Sequence, residues 1–224
     1  HLRPLQNAPV KGPGLHYSAY RVGGRDEWMM GIGSGPALLF LSPLFEEMNR
    51  TRALLATAMR ALAAQGFQCW LPDLPGTGES ERALEEVSWR DWRDAADAAF
   101  AEAGAVASVS LRGGALLDAA APARWRFAPA TGASLARDLA RAGLMTEGGG
   151  GYAPAQALLG PLTEAEPAAG GTIRTARLAT DRAEADLKLE GPPLWRRAEP
   201  QNSSELAEAM ASDIIQWVRS CGVC

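Results

Sequence analysis

A chain of 224 residues with 47% hydrophobic content can bury one good core, and its size suits one α/β domain with little room for a separate lid. The formal net charge of −4, with arginines interspersed among acids, leaves no long-range attraction to nucleic acid or anionic membrane. No apolar run reaches the ~18 residues of a membrane span, and the Pro- and Gly-rich start has no apolar signal-peptide core. Cys69, Cys221 and Cys224 are too few for a disulfide scaffold, so the chain reads as a soluble, cytoplasmic protein.

In chain order, residues 1–16 read as an N-terminal arm, and 17–30 as a loosely strand-like stretch with a turn at Gly23-Gly24. Residues 36–41 (PALLFL) form an apolar run short enough for a buried parallel strand. The spacing predicts a helix over 52–65 stopped by Gly66, a strand over 67–71, and a loop of turn residues over 72–80. A helix over 88–103 follows with Ser88 as its N-cap, then an apolar strand over 105–109. Beyond residue 114 come a helix starting at Ala115-Leu116-Leu117, a strand over 125–129, a helix over 132–142 and a flexible turn over 147–151. Two short strands (170–178 and 184–189), an amphipathic helix over 205–218 and a frayed tail over 219–224 complete the chain. Strands alternating with helices predict right-handed crossovers and a mainly parallel sheet with helices on both faces.

The most informative segment is Ser110-Leu111-Arg112-Gly113-Gly114. A buried strand leads into a turn, small residues flank the central position two places away on each side, and helix-forming residues follow. This is the setting of a nucleophile elbow, G-x-S-x-G, with arginine where the nucleophile belongs. A second register makes Ser110 the nucleophile, but it puts Arg112 where a glycine is needed for close packing, whereas the Arg112 register puts Gly114 there.

These motifs resemble the α/β-hydrolase family, and within it the exosortase A system-associated hydrolases of type 2. The segment 42–52 (SPLFEEMNRTR) is similar to that group's loop after the third strand, 73–80 (DLPGTGES) to the general family's D-x-x-G-x-G-x-S loop, and Trp89-Arg90-Asp91-Trp92 to the helix after it. Residues 111–117 look like the subgroup's version of the elbow, and toward the end Gly191-Pro192-Pro193-Leu194-Trp195 again resembles the group. The resemblance implies a single α/β-hydrolase-type domain over residues 1–224 with its lid reduced or absent. It also implies a setting in exopolysaccharide production and protein sorting. A fold does not establish an activity.

A serine hydrolase needs a nucleophile, a histidine and an orienting acid. The two histidines, His1 and His16, precede the first sheet strand, and nothing later can serve as base. An arginine at the carboxyl edge of a parallel sheet, where open α/β folds place ligands, presents a planar fork of donors suited to a carboxylate, phosphate or sugar acid. The ligand-contact candidates are Arg112, Leu111 and Gly113 of the turn, with Phe45, Glu46, Glu47 and Asn49 of the neighbouring loop. In the plainer alternative Glu46 or Glu47 neutralises Arg112 and closes the pocket, and Asn49 caps the next helix. Asp73 is expected to shape its turn and Asp181 to lie at the surface. No cofactor or metal is expected: Gly148 to Gly151 lack the Lys-Ser or Lys-Thr pair of a phosphate loop, and Cys221-Gly222-Val223-Cys224 lacks a second ligand pair. Three functions stay open: a small-molecule-binding or accessory module without a working triad, an esterase or thioesterase using Ser110 with an unconventional base, and a protein-interaction subunit, with an oligomer possible in each case.

Overall fold

The computed structural model describes residues 14–143 and 154–222; the turn expected over 147–151, His1 and Cys224 lie outside them. Two antiparallel strands, β1 (Leu15–Val22) and β2 (Arg25–Gly33), are joined at Gly23 and Gly24, whose φ of 57° and 76° suits glycine. Six parallel strands follow: β3 (Ala37–Leu41), β4 (Gln68–Pro72), β5 (Ala107–Leu111), β6 (Ala123–Phe127), β7 (Thr172–Leu178) and β8 (Leu187–Leu189). They make one eight-stranded sheet in the order β1-β2-β4-β3-β5-β6-β7-β8, with β2 antiparallel to β4. This is the mainly parallel α/β sheet that the motifs imply.

Helices cover both faces. On one, α1 (Glu46–Ala64) and α5 (Ser204–Ser220) pack on Leu38, Phe40, Val109, Trp125 and Phe127; on the other, α2 (Trp89–Glu102), α3 (Gly132–Arg141) and α4 (Gln156–Thr163) pack with Leu39 and Leu41. Alternate residues of β3 thus feed opposite cores, as the two-residue period of a strand requires. Ser88 caps α2 in a capping box with Asp91, which satisfies two otherwise free N–H groups at that helix start.

The structure departs from the sequence expectations at several places. Helix α1 begins at Glu46 instead of Arg52, because Glu46 and Glu47 in its first turn complement the helix dipole although the apolar stripe starts only at Leu54. Asn49 therefore lies inside the helix and does not cap it. Leu15 and His16 belong to β1 and not to an arm, and α5 runs to Ser220, past the expected start of a frayed tail. Helix α4 has no counterpart in the expectations, since Gly160 and Pro161 hide it, yet Leu158, Leu159 and Leu162 bury one face.

The largest departure is after β5. No α-helix starts at Ala115; residues 112–116 form a short 3-10 turn and the chain then reverses toward β6. Residues 112–122 must join two adjacent parallel strands, and a helical crossover needs roughly a dozen residues or more. The glycines of this turn allow it to nest against β3: a Cβ on Gly114 would run into the carbonyl oxygens of Leu41 and Ser42. Because backbone cannot yield there, Gly114→Ala is expected to cost about 1–3 kcal/mol of stability in urea unfolding; an unchanged midpoint would contradict this packing.

Candidate functional site

Arg112 stands at the carboxyl end of β5 with φ 51°, a left-handed conformation that a side-chain-bearing residue adopts only where its surroundings hold it. Phe45 (φ 57°) and Ala128 (φ 47°), after β3 and β6, share this feature, so three neighbouring strand ends turn sharply at one edge. The strain is matched by contacts. Arg112 Nε and Nη2 each donate to a Glu47 carboxylate oxygen at 3.2 Å, and Nη1 donates to the Ala128 carbonyl at 3.2 Å. Its guanidinium carbon lies 5.0 Å from the centre of the Trp195 ring, within the range of a cation–π contact. Burial pushes the Glu47 carboxyl above its ordinary range, and the Arg112 charge and hydrogen bonds pull it back.

Three clefts open along this edge. Phe45, Glu46, Glu47, Arg50, Arg112 and Trp195 line one of about 480 Å³. Asn49, with Phe45 and Glu46, lines a second of about 760 Å³ that reaches the loop Gly76–Ser80. Arg112, Thr180, Asp181, Arg182, Trp195 and Arg196 line a third of about 310 Å³ beyond the ends of β6 and β7. Leu111 and Gly113, expected among ligand contacts, line none of these; Leu111 is fully enclosed, and Gly113 is buried against Leu44 and Leu135. Of the expected set, Phe45, Glu46, Glu47 and Arg112 meet in one cleft.

Ser110 lies two residues before Arg112, has no exposed surface, and donates its hydroxyl to Asp118 Oδ2 at 3.0 Å. Asp118 also accepts two bonds of 2.8 Å from Arg126, while Arg124 donates to the carbonyls of Asp118, Ala119 and Gly170. Ser108 and Ser110 pair in register with Arg124 and Arg126, so all four side chains share one face of the sheet. The polar cluster fills the space beneath the short turn after β5. Sequence reasoning missed Asp118, Arg124 and Arg126. The available signal was Arg-x-Arg in a strand with Trp125 and Phe127, an alternation that puts two guanidinium groups on one buried face and so requires an acid nearby.

His16, Asp73 and Cys69 sit away from the elbow, whereas Asp181 shares the third cleft with Arg112. His16 packs edge-on against Trp70 with ring centres 4.9 Å apart and hydrogen-bonds Gln68, at the start of β4 and so at the opposite end of the parallel strands from Arg112. Asp73 accepts from the Glu79 N–H and organises its own loop. Asp181 pairs with Arg177 at 3.0 Å and accepts the Ala183 N–H, and these partners hold its carboxyl below the usual range. Cys69 is buried and unpaired, and burial pushes its thiol up to about 12.

No family model matches this chain, and no curated protein matches it. Among solved structures, an epoxide hydrolase from Vigna radiata is similar at 18% identity over 50% of this chain and 38% of that one, with a TM-score of 0.41. Potato (Solanum tuberosum) epoxide hydrolase I is similar at 22% identity over 51% and 40%, also with a TM-score of 0.41. The chain thus spans less than half the length of either enzyme.

Arg112→Ala would leave Glu47 buried without its partner, at a cost of about 3 kcal/mol near neutral pH. The sign of the pH effect follows from the raised Glu47 pKa: the native state binds a proton more readily than the unfolded chain, so this group favours folding at low pH and that contribution is lost as pH rises through the raised value. Removing Arg112 raises it further. Urea unfolding should therefore find Arg112→Ala more destabilised near pH 7 than near pH 4, and the opposite order would contradict the pairing. Asp118→Ala should cost about 3–5 kcal/mol, since it strands Arg126; a loss below ~1 kcal/mol would contradict the cluster.

Proposed function

We propose that this chain is a hydrolase-fold protein without a working Ser-His-acid machinery, serving as a small-molecule-binding or accessory module. The observation that carries this reading is the state of Arg112. The residue occupies the turn where a nucleophile would stand, and its guanidinium is committed to Glu47, Ala128 and Trp195. The enclosed Ser110 hydroxyl and the distant placement of His16 support it, because nucleophilic attack needs an accessible oxygen with a base in reach. The cleft of about 480 Å³ beside Arg112 is of a size for a small ligand, with Phe45 and Trp195 as apolar walls and Glu46 and Arg50 as polar ones. A cytosolic setting with exopolysaccharide and exosortase components comes from the motif resemblance in segments 42–52, 111–117 and 191–195, and unpaired, buried Cys69 is compatible with a reducing compartment. No helix among the described residues is long and apolar enough to cross a membrane.

A second reading, an interaction subunit, is favoured by one observation. Leu15 is 54% exposed, Tyr17 63% and Trp28 41%, and the pairings Leu15 with Ile32, Tyr17 with Met30 and Ala19 with Trp28 put them on one face of the β1–β2 hairpin. Strand β1 is also an edge of the sheet among the described residues. Large apolar side chains exposed on one face beside an edge strand suit self-association of the chain.

Turnover of p-nitrophenyl esters and acyl thioesters by the wild type, Arg112→Ala and Ser110→Ala should stay at background for all three proteins; a wild-type rate abolished by Ser110→Ala would overturn the non-catalytic reading. For the second reading, sedimentation should show a dimer of the wild type at micromolar concentration and a monomer of Leu15→Ser/Tyr17→Ser. A monomeric wild type would remove it.

A further inference from the structure

The third cleft, beyond the ends of β6 and β7, differs from the others in its charge. Arg112 and Asp181 on its walls are already neutralised, by Glu47 and by Arg177 respectively. Lys188 adds a further cation, donating to the carbonyls of Asp181 and Ala183. Two more lining arginines, Arg182 and Arg196, make no side-chain hydrogen bond or ion pair among the described residues. In a protein of formal net charge −4, this corner carries an uncompensated positive charge, which attracts an anion and loses strength with salt.

Trp195 is 6% exposed and lines the same cleft, so its ring is an apolar wall beside the two arginines. The Thr180 hydroxyl, also on the wall, adds a donor or acceptor suited to a polar ligand body.

We propose that this cleft of about 310 Å³ binds a small phosphorylated polar molecule, its phosphate dianion held between Arg182 and Arg196 and its polar body against Thr180 and the Trp195 ring. Two guanidinium forks match a dianion with three acceptor oxygens better than the single charge of a carboxylate. The proposal deepens the small-molecule-binding reading and rests on it.

The test uses glucose 6-phosphate, glucuronate and glucose as probes in isothermal titration, with the Trp195 indole 15N–1H resonance, assigned by Trp195→Phe, as a local readout. Glucose 6-phosphate is expected to bind at least about tenfold more tightly than glucuronate, to shift the Trp195 resonance, and to weaken at higher salt; glucose should not bind. Arg182→Gln and Arg196→Gln should each lower the affinity about tenfold or more while leaving the urea midpoint unchanged, because both side chains are exposed. Binding that ignores both substitutions, glucuronate binding as tightly as the phosphate, or no binding at all would overturn the proposal. Each of these results leaves the loss of catalysis to be judged separately by ester turnover, so the two failures are distinguishable.

Discussion

A guanidinium held at the end of a buried strand must find a carboxylate or destabilise the fold by several kcal/mol, and Arg112 finds Glu47 through two bonds from one fork. That pair fixes more than a charge. Glu47 belongs to the first turn of α1, Ala128 follows β6, and Trp195 lies in the segment leading to α5, so one side chain ties together three separate parts of the chain. The same contacts hold Arg112 in a left-handed conformation that it would not adopt unaided. The sharp turn after β5 is therefore held by a structural residue, which also lines two of the three clefts at this sheet edge.

A second buried ionic group explains how the fold survives a shortened connection. Where a helix would cover β5 and β6, the chain supplies only residues 112–122, and the strand face beneath them is buried yet polar: Ser108, Ser110, Arg124 and Arg126, gathered on Asp118. Arg124 and Arg126 also bond to carbonyls of Gly170 and Ala168, which fixes the segment before β7. The arrangement is costly in desolvation and is favourable only because nearly every donor is met; Ser108 Oγ is the one atom of this group left buried without a partner. Ser110 is consumed by the cluster, so the shortened connection and the enclosed serine have one physical cause.

Much of the scaffold was legible in the chain. The apolar runs that became β3 and β5, the capping box of α2 and the Gly23-Gly24 hairpin are local signals, and local physics decides them. The pairing of Arg112 with Glu46 or Glu47 was also within reach, because both sides of the pair sit at loops after neighbouring strands. The misses needed information the local pattern lacks. Leu116 and Leu117 look like the start of a helix until the distance to β6 is known; α4 is masked by its own Gly160 and Pro161; and the first turn of α1 forms before its apolar stripe begins. Trp195 meets Arg112 across 83 residues of sequence, a contact that only the closed sheet brings about.

The central claim, that this elbow holds a structural arginine and no accessible nucleophile, is most directly tested by incubating the folded protein with a fluorophosphonate and mapping any adduct by mass spectrometry. The account predicts an unmodified chain, since Ser110 Oγ is enclosed and engaged with Asp118 and no described histidine can activate it. A stoichiometric adduct on Ser110 would contradict it and return the chain to the serine hydrolases.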